Sequence, residues 1–233
     1  MKNYLIFGSI LISMFSAFIS NVAGEETKFV GQPVVSENKT VKSNEFYNQG
    51  TTQLRLGHYE NAISFFLKAV AEDKNDVDSW DHLGVCYRRT GQIDKAIQSY
   101  VTSIKINPYN IVPYINLGLI HVDFKDYEHA ELFYKVAVEV DKDNPEGYYG
   151  LGLVNQNMGL YDDAIKNYLM AAKLYDKNNS PFLADAYVAL GFNYAGKNPP
   201  NNSLAVKYYQ KAKNLGHPLS PEIDSFLKQT SER

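Results

Sequence analysis

Residues 80–87 read WDHLGVCY, residues 91–100 read GQIDKAIQSY, and Pro108 closes the stretch. Asp78 to Arg89 and Ile93 to Lys105 are amphipathic helical runs, Gly91 breaks between them, and Pro108 ends the second. The pattern predicts a helix–turn–helix pair, and it recurs. Gly50, Gly84, Gly118 and Gly152 stand at intervals of 34 residues, as do Ala62, Ala96, Ala130 and Ala164, and the aromatics Phe66, Tyr100, Tyr134 and Tyr168. Three columns held in register over four copies describe a stacked array. Each pair in such an array has an apolar face that only its neighbour can cover.

The small residues have a steric reason. Glycine on the first helix and alanine on the second mark a close crossing of two axes. The aromatic four residues after each alanine lies on the same face, one turn along, and fills the gap beside that crossing. Gly57 and Gly159 mark the break between helices in the first and fourth copies, and Lys125-Asp126 does so in the third.

Trp80, Leu83-Gly84, Tyr87, Ala96, Tyr100 and Pro108 together resemble the tetratricopeptide repeat. Copy three is similar through Tyr114, Leu117, Gly118, Ala130, Tyr134 and Ala137, and copy four through Tyr148, Leu151, Gly152, Ala164, Tyr168 and Ala171. Copy one is weaker, with Phe46, Gly50, Ala62, Phe66 and Ala69, and Gln49 in place of the usual leucine. A fifth copy carries Tyr187, Leu190, Gly191, Tyr194, Ala205, Tyr209 and Ala212. It is stretched by insertions at Asp176 to Pro181 and Lys197 to Asn202, and it is similar to Sel1-type repeats. The resemblance implies an all-α, right-handed superhelical solenoid of about five helix–turn–helix repeats plus a C-terminal capping helix. The repeats are placed at 43–76, 77–110, 111–144, 145–178 and 184–218, and the cap at 221–230, within a domain spanning 43–233.

The first 24 residues have the make-up of a signal peptide, with Lys2, an apolar run from Tyr4 to Ile19, and Val22 and Gly24 at the −3 and −1 positions of a cleavage site. Residues 25–42 show no helical period and read as a flexible lead-in. The expected location is the periplasm or cell envelope, with a eukaryotic secretory route as the alternative. Membrane attachment is expected only if the signal segment stays uncleaved. One cysteine, Cys86, excludes an intramolecular disulfide, and its place in a helical run predicts a buried small hydrophobe.

Net charge is −3 and no basic stripe is present, which argues against nucleic-acid binding. No phosphate loop or G-x-S-x-G turn occurs, so no enzyme and no cofactor is expected. His121 and His129, eight residues apart, are a weak metal pair. His121 stands where its repeat usually has tyrosine, so a packed histidine is expected and no metal.

In tetratricopeptide proteins the first helix of each pair lines the concave groove. Carried over by register, this places Thr51, Val85, Leu119, Leu153 and Phe192 in one column and Tyr47, Asp81, Ile115, Tyr149 and Val188 in another, four residues earlier on the same helical face. Arg55, Arg88 and Arg89 fall near one rim, where an acidic group would meet them. The set that clamps chaperone C-termini is not matched, since Tyr47, Thr51, His82, Val112 and Asn116 occupy those places. The expected function is an exported scaffold that holds a peptide or helix of an envelope or secreted protein. The alternatives are a self-assembling homo-oligomer and, behind it, an accessory subunit of an envelope enzyme complex.

Overall fold

The computed structural model describes residues 41–231, so the signal segment and residues 25–40 lie outside the described residues. Among the described residues there are eleven helices and no strand. They are α1 (Val41–Arg55), α2 (Tyr59–Glu72), α3 (Val77–Arg89), α4 (Ile93–Ile106), α5 (Ile111–Asp123), α6 (Tyr127–Val140), α7 (Pro145–Asn157), α8 (Tyr161–Lys177), α9 (Leu183–Gly196), α10 (Asn202–Asn214) and α11 (Pro221–Ser231). Each helix packs on the next, and the first helices of successive pairs also touch, α1 on α3, α3 on α5 and α5 on α7. This is the all-α solenoid of helical pairs with a terminal helix that the 34-residue period predicts.

Within each pair the turn follows from one hydrogen-bonded ending. Gln92 N–H donates to Tyr87 O at 2.8 Å and Gly91 N–H to Arg88 O at 3.1 Å, with Gly91 at φ +75. The left-handed residue lets two late carbonyls find donors. Gly57 and Gly159 do the same in their pairs, and Lys125 fills that place in the third pair at φ +59.

Between pairs, two side chains make the turn. Asp73, Asn107 and Asp141 each accept from the backbone N–H two residues on, at 2.9, 3.1 and 3.0 Å. Asp76, Asn110 and Asn144 then cap α3, α5 and α7 by accepting from Ser79, Val112 and Glu146 N–H. An N-cap of this kind is worth about 1 kcal/mol.

The glycine column proves to be a seat for an aromatic ring rather than a bare helix crossing. A Cβ on Gly84 would lie 2.4 Å from the Tyr100 ring, and one on Gly50, Gly118 or Gly152 would lie 2.6, 2.8 or 2.8 Å from Phe66, Tyr134 or Tyr168. Gly191 receives Tyr209 in the fifth pair in the same way, at 2.5 Å. Phe66, Tyr100, Tyr134 and Tyr168 are almost wholly buried, as are the alanines four residues before them. Cys86 is buried as expected, and burial pushes its thiol up to about 11.

The first insertion enters the structure in two parts. It lengthens α8 to 17 residues, against 14 in α2, α4 and α6. The rest forms the connection to α9, where Asn179 takes the left-handed conformation at φ +50.

Candidate functional site

The first helices α1, α3, α5, α7 and α9 carry the expected groove residues. Tyr47, Thr51, Val85, Arg88, Ile115, Leu119, Tyr149, Leu153 and Val188 are half-buried, and Phe192 is 50% exposed.

Asp81 is the exception and a correction to the register argument. It is buried, and its Oδ2 accepts from Asn110 Nδ2 at 2.6 Å. Burial raises its pKa to about 6, against the opposing pull of hydrogen bonds from Ser103 and Asn110. Asp81 therefore belongs to the seam between the second and third pairs. Its column places it on the groove face, but the Asn110 cap reaches back over it.

The N-terminal and middle columns are partly absorbed by packing. Tyr47 meets His82 edge-on at 5.5 Å and Phe66 at 6.0 Å. Thr51 Oγ1 donates to Asn48 O at 3.0 Å. Ile115 and Leu119 lie against the buried cluster of Ala130, Tyr134, Leu151 and Val154. Arg88, expected at the rim, lies 3.8 Å from Asp123 Oδ2, and its side chain is 22% exposed. Its Nε and the Tyr134 hydroxyl are buried without a hydrogen-bond partner among the described residues, and the Tyr100 hydroxyl lies beside the same guanidinium. Buried polar atoms of this kind are normally paired.

The C-terminal part is different. Tyr149 and Leu153 on α7 and Val188 and Phe192 on α9 line one cavity of about 300 Å³. The cavity lies beside α8, which at 17 residues is longer than the 14-residue second helices of the earlier pairs. The apolar walls carry a polar edge. Gln156 Oε1 accepts from Asn193 Nδ2 at 2.6 Å and from the Tyr168 hydroxyl at 3.3 Å. His217 Nε2 lies 3.2 Å from Asp185 Oδ1. Tyr149 stands edge-on to Tyr168 at 5.2 Å, and burial raises its pKa. The structure thus brings four expected groove residues together on α7 and α9 and leaves the others on α1, α3 and α5. Gln156, Asp185 and His217 were outside the two columns, because they face the cavity from the helix ends and from beyond α10.

Models of the tetratricopeptide repeat match residues 46–76, 65–98, 113–144 and 145–178, together more than half of the chain. No curated protein sequence matches it. Among solved structures, the crystal structure of MamA is similar at 27% identity and a TM-score of 0.58, over 72% of this chain and 94% of that one. TTC0263, a thermophilic tetratricopeptide protein of Thermus thermophilus, has 20% identity and a TM-score of 0.62, over 82% of this chain and 100% of its own. YrrB, described as a tetratricopeptide protein with an unusual peptide-binding site, has 18% identity and a TM-score of 0.55, over 85% and 94%. At the identities of the last two, the likeness is one of fold.

Proposed function

Because the chain belongs to the tetratricopeptide repeat family, we propose that it is an exported scaffold that holds a segment of a partner protein against its first helices. The observation that carries this reading is the cavity between α7 and α9, where Tyr149, Leu153, Val188 and the exposed Phe192 offer an apolar seat beside a polar edge. A partner's aliphatic or aromatic side chain fits that seat, and its backbone amides find Gln156 and Asp185 nearby. An acidic group on the same partner meets the accessible edge of the Arg88 guanidinium, whose side chain is 22% exposed. Export rests on the N-terminal sequence, and a periplasmic or envelope partner follows from it. Among the described residues no helix is long and apolar enough to cross a membrane.

The test is crosslinking of the mature chain in its own cell, repeated with Leu153→Glu and Phe192→Glu. Capture of the same proteins at unchanged yield would reject the seat. A second reading, self-assembly, draws on apolar residues that the helix ends leave exposed. Leu56, Phe124 and Met158 occupy one position of the first, third and fourth pairs and are 62%, 54% and 47% exposed. Light scattering of the mature chain decides it, since a strict monomer at micromolar concentration rejects it.

A further inference from the structure

The turn of the third helical pair carries a cluster that its sister turns lack. His121 stands near the end of α5, Asp126 caps α6, and His129 lies in the first turn of α6. Asp126 Oδ2 is 3.0 Å from His121 Nδ1 and 2.6 Å from His129 Nδ1. One ligand atom from each residue lies within 4.8 Å of the other two. The same three positions hold Gln53, His58 and Asn61 in the first pair, Tyr87, Gln92 and Lys95 in the second, and Asn155, Leu160 and Asp163 in the fourth. The repeat therefore makes no demand for imidazole or carboxylate there. In the second pair the equivalent residues meet quite differently, with the Lys95 ammonium 5.4 Å from the centre of the Tyr87 ring.

The three side chains are also held. His121 stacks on Phe133 with centroids 5.3 Å apart. Asp126 is fixed by its capping role, with Oδ1 accepting from His129 N–H at 3.4 Å. The side chains of His121, Asp126 and His129 are 17%, 37% and 23% exposed, so the cluster is sheltered yet reachable. Burial holds the His121 imidazole below its ordinary range. Burial alone would raise Asp126, but the two imidazole hydrogen bonds hold it below the usual carboxylate range.

We propose that His121, Asp126 and His129 bind one divalent transition metal of the zinc class. On binding, each imidazole takes the Nε2–H tautomer by proton exchange with solvent, so that the Nδ1 lone pairs that replace the N–H groups directed at Asp126 Oδ2 face the ion, with no net change in the number of protons on either ring. Two nitrogens and one oxygen suit zinc, cobalt or nickel, whereas calcium and magnesium require more oxygen ligands. Ligand atoms about 2.0–2.2 Å from zinc stand roughly 3.3 Å apart, so the Nδ1···Oδ2 distances of 3.0 and 2.6 Å have to open by less than about 1 Å, and water completes the tetrahedron. The bound ion ties the end of α5 to the start of α6 across the turn.

Zinc titration of the chelator-treated mature chain by calorimetry, with cobalt absorption as an optical probe, tests this. The expected result is one ion per chain, affinity at least tenfold weaker in His129→Gln and in Asp126→Asn, and unchanged affinity in His58→Gln. Circular dichroism checks that the variants are folded. In the unsubstituted chain, the imidazole resonances of His121 and His129 should shift together on zinc addition, which needs no variant. No saturable zinc uptake, uptake that both variants leave unchanged, or imidazole resonances that ignore zinc would each overturn the proposal.

Discussion

Gly84→Ala places a methyl group where the Tyr100 ring already lies. The added Cβ would stand 2.4 Å from Tyr100 Cε1, 2.5 Å from Cζ and 2.7 Å from Cδ1, closer than carbon atoms can approach without displacement. The ring has nowhere to go, because Tyr100 is 0% exposed and sits between α3 and α4. Either the two helices move apart or the ring leaves its rotamer. Overpacking of this kind costs about 1–3 kcal/mol. Replacing a helical glycine by alanine returns up to about 1 kcal/mol of propensity. The expected net effect is a loss of about 1–2 kcal/mol, read as a lower urea midpoint at an unchanged m-value. In a Tyr100→Leu background the same substitution should become neutral or stabilising, a coupling of about 1 kcal/mol or more. A Gly84→Ala protein as stable as the parent, or additive behaviour in the double variant, would refute the view that the glycine column exists to admit the aromatic column.

Lys125→Gly should stabilise the chain by about 0.5–1 kcal/mol, since a side-chain-bearing residue at φ +59 is strained where the sister turns use glycine, and an unchanged thermal midpoint would count against it. Asp81 gives a pH dependence. Its folded pKa, about 6, lies above the ordinary 3.8, so between those values the fold binds more protons than the unfolded chain. Its ionised form therefore works against folding above about pH 6, and stability from this group rises as pH falls through the window, by roughly 2–3 kcal/mol at the limit. Asp81→Asn should be more stable than the parent at pH 7 and lose this slope, whereas parallel stability–pH profiles would sink the assignment.

Some features that matter were legible but escaped the three columns. Asp73, Asn107 and Asp141, and Asp76, Asn110 and Asn144, recur at the same 34-residue interval and build the turns between pairs. Gly150, two residues before the glycine column, seats the Tyr134 ring from the preceding pair, with a Cβ there only 2.2 Å away. It stands alone in its column, since His82 and Asn116 occupy the sister positions, so no period announces it. The meeting of His121 and His129 had a trace in their spacing, but Asp126 read only as part of a turn.

The amino-acid order alone determined the helical pairs, their breaks, and the partnership of glycine, alanine and aromatic. Each of those is settled within one pair by helical periodicity and by backbone angles, which are local. The tertiary structure decided which expected groove residues stay accessible. Asp81 is sealed by a cap from the next pair, and Ile115 and Leu119 are drawn into the packing around Tyr134. Tyr149, Leu153, Val188 and Phe192 are left around a cavity between α7 and α9. The distance and angle between one pair and the next come from how many side chains fit in the seam, and a repeat read by itself carries no record of that.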